Sequence, residues 1–175
     1  MAPNTDAFES ASSTAAETGR LDETDRSILA ILQRNSKITN ADLAKRVGVS
    51  PPTALERVKK LERRGVIRGY TALVDPASVN KTTAAIVHLS LREHGRQPLK
   101  QVRAKLIELD EVLACWHTAG EEDFILKVVV ADMAEYERFV TNKLSAIKGV
   151  GRIRTTFVLN TCKEETRLPL DSVPT

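Results

Sequence analysis

Metal-ligating and disulfide-forming residues are scarce in this chain of 175 residues, which has 2 cysteines and 3 histidines. Cys115 and Cys162 form no Cys-x-x-Cys pair, and His88, His94 and His117 lack the spacing of metal ligands. This pattern argues against a zinc site and a disulfide framework. Two unpaired thiols are typical of a reducing compartment. We therefore expect no metal and no cofactor.

Long apolar runs are also absent. No stretch approaches the roughly 18–20 apolar residues that span a bilayer, and the amino terminus lacks the basic, then apolar, order of a secretory signal. Apolar residues still make up 42% of the chain, an ordinary share for a globular protein. The sequence therefore predicts a soluble, cytoplasmic protein with one medium domain or two small ones.

Catalytic patterns are missing as well. Glu121, Glu122 and Asp123 are consecutive carboxylates, but nothing in the sequence pairs an acid with a base across a cleft. No glycine-rich loop for phosphate binding is present. The sequence therefore predicts a binding protein and not an enzyme.

Positive charge is concentrated in the amino-terminal third. Residues 21–76 carry 11 Lys and Arg against 7 Asp and Glu, a net charge of +4, whereas residues 77–175 carry 14 against 13, a net of +1. Six basic residues fall within twelve positions, opposed there only by Glu62: Arg57, Lys59, Lys60, Arg63, Arg64 and Arg68. Such a cluster on one helix indicates a surface that meets a polyanion, most simply duplex DNA.

Three short helices are predicted in this basic region. They span Asp22–Gln33, Asn40–Val47, and Pro51 to a stop at Gly65. Thr39 and Ser50 are predicted N-caps, and Gly48 is predicted to end the second helix in a left-handed conformation. Four apolar residues of the third helix are expected to face inward: Ala54, Leu55, Val58 and Leu61. Val66–Val74 is predicted to form a strand.

The remaining chain has the predicted order strand, helix, strand, strand, helix, strand. The predicted strands are Thr83–Leu91, Val112–Thr118, Phe124–Val130 and Gly151–Asn160, and the predicted helices are Pro98–Leu109 and Met133–Ile147. This order predicts an α+β, ferredoxin-like βαββαβ sandwich with both helices on one sheet face. Pairing of two sheets in a dimer would cover the other face.

We divide the chain accordingly. Residues 1–20 are predicted to be a flexible tail, 21–76 a winged helix-turn-helix domain, 77–82 a hinge, 83–165 the βαββαβ domain and 166–175 a second tail.

The sequence from Leu21 to about Pro169 resembles the Lrp/AsnC family of feast/famine regulators. The resemblance is carried by LDETDRSILAILQRN, DLAKRVGVSPPTALERVKKLERRGVIRGYTALVDP, CWHTAGEEDFILKVVV, YERFV and KGVGRIRTTFVL with the later LPL. It implies a DNA-binding transcriptional regulator, a small-molecule effector that is often an amino acid, and a homodimer that assembles into tetramers or octamers on the nucleoid. The sequence departs from the family pattern at two places. Glu122 stands where many members have an aromatic residue, and the hinge contains Val79-Asn80-Lys81 where a Leu-Gly pair is frequent.

The candidate DNA-binding residues lie on the third helix: Ser50, Pro52, Thr53, Glu56, Arg57, Lys59, Lys60, Arg63 and Arg64. Arg57 is the predicted base reader, because its guanidinium can bridge O6 and N7 of guanine. Lys59, Lys60, Arg63 and Arg64 are predicted to contact phosphates, which position a protein without specifying sequence. The alternative is a solvated basic face.

The candidate effector-binding residues, carried over from the family, are Thr118, Ala119, Gly120 and Asp123. The same loop also suits a tight hairpin turn. Two other functions remain open from the sequence. Certain haem-pathway decarboxylases look like this family in both domains but need a tetrapyrrole pocket with histidines. An architectural protein would compact DNA with little choice of sequence.

Overall fold

The computed structural model describes residues 20–93 and 95–170. Residues 1–19 of the predicted amino-terminal tail (residues 1–20) lie outside this described part, as do His94 and residues 171–175. The chain divides into two compact units, one made of Met1–Ala72 with Glu164–Thr175 and the other of Leu73–Lys163. No helix in the described ranges has the length and hydropathy needed to cross a membrane.

Within its described residues, the first unit contains three helices, α1 (Glu23–Leu32), α2 (Asn40–Val47) and α3 (Pro51–Arg63). The side chain of Thr39 accepts a hydrogen bond from the Asp42 amide at 3.1 Å, and that of Ser50 accepts one from the Thr53 amide at 3.3 Å. Each bond satisfies an amide that has no partner within its own helix. Both predicted N-caps are therefore confirmed.

The turn between α2 and α3 depends on Gly48, which has a φ of 71°. This left-handed conformation is open to glycine at little cost and ends α2, as predicted. The three helices then pack around a small core. Its buried members are Ile28, Leu29, Leu43 and Leu61. The turn and this core set the direction of α3.

Two predictions for this region are wrong. Leu55 keeps 43% of its surface exposed, because Ala54 and Leu61 fill the buried face of α3. Residues 66–74 form no strand. The amides of Val66 and Ile67 both donate to the carbonyl of Leu61, at 3.0 and 3.2 Å, so they close the end of α3 instead of entering a ladder.

The second unit is the predicted βαββαβ sandwich. Its strands are β1 (Thr83–Leu91), β2 (Val112–His117), β3 (Phe124–Val130) and β4 (Val150–Phe157), and its helices are α4 (Arg96–Leu106) and α5 (Met133–Arg138). The sheet order is β2-β3-β1-β4, with every neighbouring pair antiparallel. Alternate residues of β1 and β3 are buried against the helices, as expected for a sheet with one packed face.

The helix that follows β3 differs from its prediction. After Arg138 it continues as a π-helix over Phe139–Leu144 and then stops, short of the predicted end at Ile147. Phe139 and Leu144, five residues apart, are both buried in the core, at 1% and 0% exposure, whereas Val140, predicted to face inward, is only partly buried. This five-residue spacing is that of a π turn and lies outside a regular 3.6-residue period.

Candidate nucleic-acid interface and effector loop

The first turn of α3 is exposed and rigidly capped. The hydroxyls of Ser50 and Thr53 lie 2.8 Å apart, and Pro52 and Thr53 are exposed beside them. The side-chain amide of Asn40 donates to the carbonyl of Pro51 at 2.8 Å and so ties the start of α2 to the start of α3. The structure therefore presents this turn outward with little freedom to reorient.

The basic residues continue along the same helix. Lys59, Lys60 and Arg63 are exposed, and Arg64 is half-buried. Arg63 donates to Glu56 at 2.6 Å, and this bond holds the pKa of the Glu56 carboxyl below its usual value. With one partly neutralised cation and at least two exposed lysines, this face can attract a phosphate backbone.

Arg57 has a different environment from the other cations. Its Nη1 lies 2.6 Å from Asp22 Oδ2 and 2.8 Å from Asp25 Oδ1. These two carboxylates, Asp22 first, raise the pKa of Arg57. Its side chain is 31% exposed. Arg57, the predicted base reader, is thus bound to the amino-terminal end of α1 in this structure.

The two acidic partners have separate roles. Asp22 caps α1 by accepting the Asp25 amide at 2.7 Å, and that bond, followed by the bond from Arg57, lowers the pKa of Asp22. Asp25 is 5% exposed and is the one buried charged residue among the described positions. A buried carboxylate needs a compensating charge, and removing the partner of such a pair typically costs about 3–5 kcal/mol.

Asp22 and Asp25 were not predicted as site residues from the sequence. A signal was present, however. Asp25 precedes Ile28, Leu29 and Leu32 at the spacing i, i+3, i+4, i+7, which places a carboxylate on the apolar stripe of α1. A charge at such a position predicts a buried ion pair, although the sequence does not say with which cation.

An open concavity runs over the amino-terminal half of α3. Its lining combines hydroxyl, carboxylate and cationic side chains: Asp22, Pro52, Thr53, Glu56, Arg57 and Lys60. Donors and acceptors are both present, so this surface can distinguish hydrogen-bonding patterns of base edges as well as bind phosphate.

The predicted effector residues lie together in the loop between β2 and β3. The amide of Thr118 donates to the carbonyl of Asp123 at 3.0 Å, and the Thr118 hydroxyl donates to the carbonyl of Glu122 at 2.7 Å. Ala119 and Gly120 are exposed at the tip. Gly120 has a φ of 158°, and a Cβ there would meet nothing within 4 Å. The structure therefore leaves open space at the glycine.

Asp123 also holds the loop to the sheet. Its carboxylate accepts the Leu91 amide at 2.7 Å, and its own amide donates to the carbonyl of Leu89 at 2.8 Å. Glu122 forms an ion pair with Arg154 on β4. Asp123 and Glu122 are thus structural anchors in this chain, whatever else they bind.

Two families of known proteins match this chain, one in each of its two units. Residues 21–68 match the winged helix-turn-helix DNA-binding family, and residues 84–168 match the Lrp/AsnC ligand binding domain. The leucine-responsive regulatory protein of Haemophilus influenzae is 41% identical over 150 residues, covering 86% of this chain and 90% of that protein.

Two solved structures are similar over most of the chain. A transcriptional regulator of Neisseria meningitidis in complex with L-methionine has a TM-score of 0.82 and 38% identity, covering 86% of this chain and 97% of that one. The feast or famine regulatory protein of Mycobacterium tuberculosis, also complexed with L-methionine, has a TM-score of 0.78 and 30% identity, covering 88% and 99%.

Fold and site thus define a two-domain protein with a helix-turn-helix unit for DNA and a βαββαβ unit for a ligand. The chain belongs to the Lrp/AsnC family of transcriptional regulators.

Proposed function

We propose that this protein is a sequence-specific DNA-binding transcriptional regulator whose activity is tuned by an amino acid. The observation that carries the proposal is the exposed amino-terminal half of α3, capped by Ser50 and followed by exposed cations on the same helix. In helix-turn-helix proteins this part of the recognition helix enters the major groove and contacts base edges. Because the target is duplex DNA, we place the protein in the cytoplasm, at the nucleoid.

The contacts to DNA divide by chemistry. Lys59, Arg63 and Arg64 lie toward the second half of α3, where cations contact phosphates and fix the register on the duplex. Thr53, Glu56 and Lys60 line the concavity at its first half and offer a hydroxyl, an acceptor and a donor to base edges. Ser50 acts as the cap and Pro52 as an apolar contact beside it.

The loop Thr118–Asp123 is the proposed effector site. The exposed backbone of Ala119 and Gly120 can approach an amino acid closely because glycine adds no side chain. Both solved relatives are complexes with L-methionine, so L-methionine is the first effector to test. Glu122 bound to Arg154, in place of an aromatic residue, is the reason to expect a different preference among amino acids.

The sheet face opposite the helices supports a homodimer. Ile86, Ile125 and Val129 on this face are half-buried, and Trp116 keeps 48% of its surface exposed. A second copy would bury this apolar surface with two-fold symmetry, and effector sites at subunit boundaries would let a ligand alter tetramer or octamer assembly.

The proposed mode of action is binding without catalysis. A decarboxylase of similar fold would need histidines around a tetrapyrrole, but the ring of His117 packs on Phe124, with centroids 5.5 Å apart. An architectural DNA-compacting protein would share the basic helix and lack base preference. A sequence-specific regulator and an architectural protein predict opposite results in the binding experiment below.

The test is selection of bound sequences from a pool of randomised duplexes, followed by fluorescence titrations on the selected and random duplexes. A regulator should prefer the selected duplex by about a thousandfold or more at physiological salt. Equal affinity for both would instead support an architectural role. The titrations are then repeated with each amino acid, L-methionine first. If no amino acid changes the affinity, the effector part of the proposal is wrong while the DNA-binding part stands.

A further inference from the structure

The ion pairs of Arg57 conflict with a role in reading bases. Its Nη1 is shared between Asp22 and Asp25, at 2.6 and 2.8 Å. Asp25 is 5% exposed and comes from α1, 32 residues away in sequence. If Arg57 turned toward a guanine, it would leave this carboxylate buried without its cation.

That loss outweighs the gain. Breaking a buried pair by withdrawing one partner costs more than a good bidentate base contact contributes. Asp22 reinforces the arrangement, because one of its oxygens caps α1 while the other holds Arg57. The arginine therefore links the capped end of α1 to the middle of α3, the helix expected to enter the groove.

We infer that Arg57 is a positioning residue, which fixes the recognition helix against α1 through Asp25, and that base discrimination belongs to Thr53, Glu56 and Lys60. These three side chains are exposed on the concavity beside Arg57. Lys60 follows Glu56 and Thr53 along one face of α3, at spacings of four and three residues, so all three can face the same groove. The inference rests on the proposed DNA-binding function.

The first test compares base preferences of wild type and Arg57→Lys on the randomised duplex pool. Lysine keeps a cation for Asp25 but lacks the planar guanidinium needed to bridge O6 and N7 of guanine. We expect an unchanged preference at every position, within about twofold. Relaxation at one base pair of about 5- to 150-fold, the range of one bidentate contact, would overturn the inference.

The second test replaces the ion pair by apolar residues. Arg57→Met alone should lower the melting temperature and weaken binding to all duplexes alike, because Asp25 is left uncompensated. Adding Asp25→Leu should restore both, since an apolar pair often substitutes well for a buried ion pair. A double variant that melts like wild type and has lost discrimination at one base pair would refute the positioning role. If it does not fold, the Arg57→Lys result decides.

Lys60→Met is the matched variant on the same helix. It should keep the wild-type melting temperature and relax preference at one base pair. An unaltered preference in Lys60→Met would remove Lys60 from the proposed readers and count against the inference. A wild-type protein with no preference at all would instead defeat the sequence-specific function itself, a result visible before any variant is made.

Discussion

Gln33 at the end of α1 and Leu168 near the carboxyl terminus exchange two hydrogen bonds, although they are 135 residues apart. The side-chain amide of Gln33 donates to the Leu168 carbonyl at 3.2 Å, and its carbonyl oxygen accepts the Leu168 amide at 2.7 Å. Leu170 packs against the helical core nearby. The carboxyl-terminal segment, predicted from the sequence as a tail, therefore belongs to the same compact unit as the helix-turn-helix.

Gln33→Ala should loosen this segment. Losing two exposed hydrogen bonds should lower the free energy of unfolding of the first unit by about 1 kcal/mol. It should also speed hydrogen exchange at the Leu168 amide, which NMR can follow. Gln33→Glu keeps the acceptor and loses the donor, so its exchange rate at the Leu168 amide should lie between those of wild type and Gln33→Ala. Arg34→Ala, at an exposed neighbouring position, serves as the control, and equal exchange in all three variants would contradict the structural role of Gln33.

The phenol of Tyr70 should ionise at a higher pH than an ordinary tyrosine. Its phenol donates to Glu62 at 2.8 Å, and partial burial together with this bond raises the pKa of Tyr70 to about 12. Unfolded tyrosine ionises near 10, so the folded chain holds this proton to higher pH. The contribution to stability is complete below about pH 10 and is lost as the pH rises toward about 12.

An ultraviolet absorbance titration of a Tyr136→Phe variant isolates the Tyr70 transition. Glu62→Gln in that background should move the transition down toward 10, because it removes the negative charge that opposes phenolate formation. A Tyr70 midpoint near 10 in the presence of Glu62 would contradict the hydrogen bond.

Substitutions of Arg63 and Glu56 should change the affinity for DNA in opposite directions. Arg63→Met should weaken binding to all sequences alike and reduce the slope of log K against log salt by about 0.9, the value for one lost phosphate contact. Glu56→Gln should release Arg63 from its ion pair and strengthen binding to random DNA. Lys105→Met, in α4 of the second unit, is the charge-matched control. A slope unchanged by Arg63→Met would rule out its phosphate contact.

Gly120→Val should abolish the response to the amino-acid effector. The added side chain would occupy the open space at the loop tip. In addition, the backbone at Gly120 has a φ of 158°, which L-residues rarely adopt. Calorimetry with L-methionine and then the other amino acids would measure the loss, with Glu121→Ala as the exposed control in the same loop. Circular dichroism checks folding. Equal effector binding by wild type and a folded Gly120→Val would place the site elsewhere.

Much of the local structure was predictable because its signals act over a few residues. Thr39 and Ser50 cap helices by bonding amides three positions ahead. Gly48 ends a helix through its own backbone freedom. The predicted bounds of β1 and β3 match the observed ones, and alternate residues of each strand are buried. The sequence by itself determined the element order of the second unit, the α+β class and the basic third helix.

Only the tertiary structure decided which distant groups meet. Asp25 carried a visible pattern, but its partner Arg57 depends on how α1 and α3 pack. The buried residues Phe139 and Leu144 are separated by a π turn, a spacing that regular helical periodicity does not contain. Leu168 forms hydrogen bonds with Gln33, which lies 135 residues earlier in the sequence. In each case the interaction depends on geometry set by packing, and the free energy of packing is shared among residues that no short window of sequence contains.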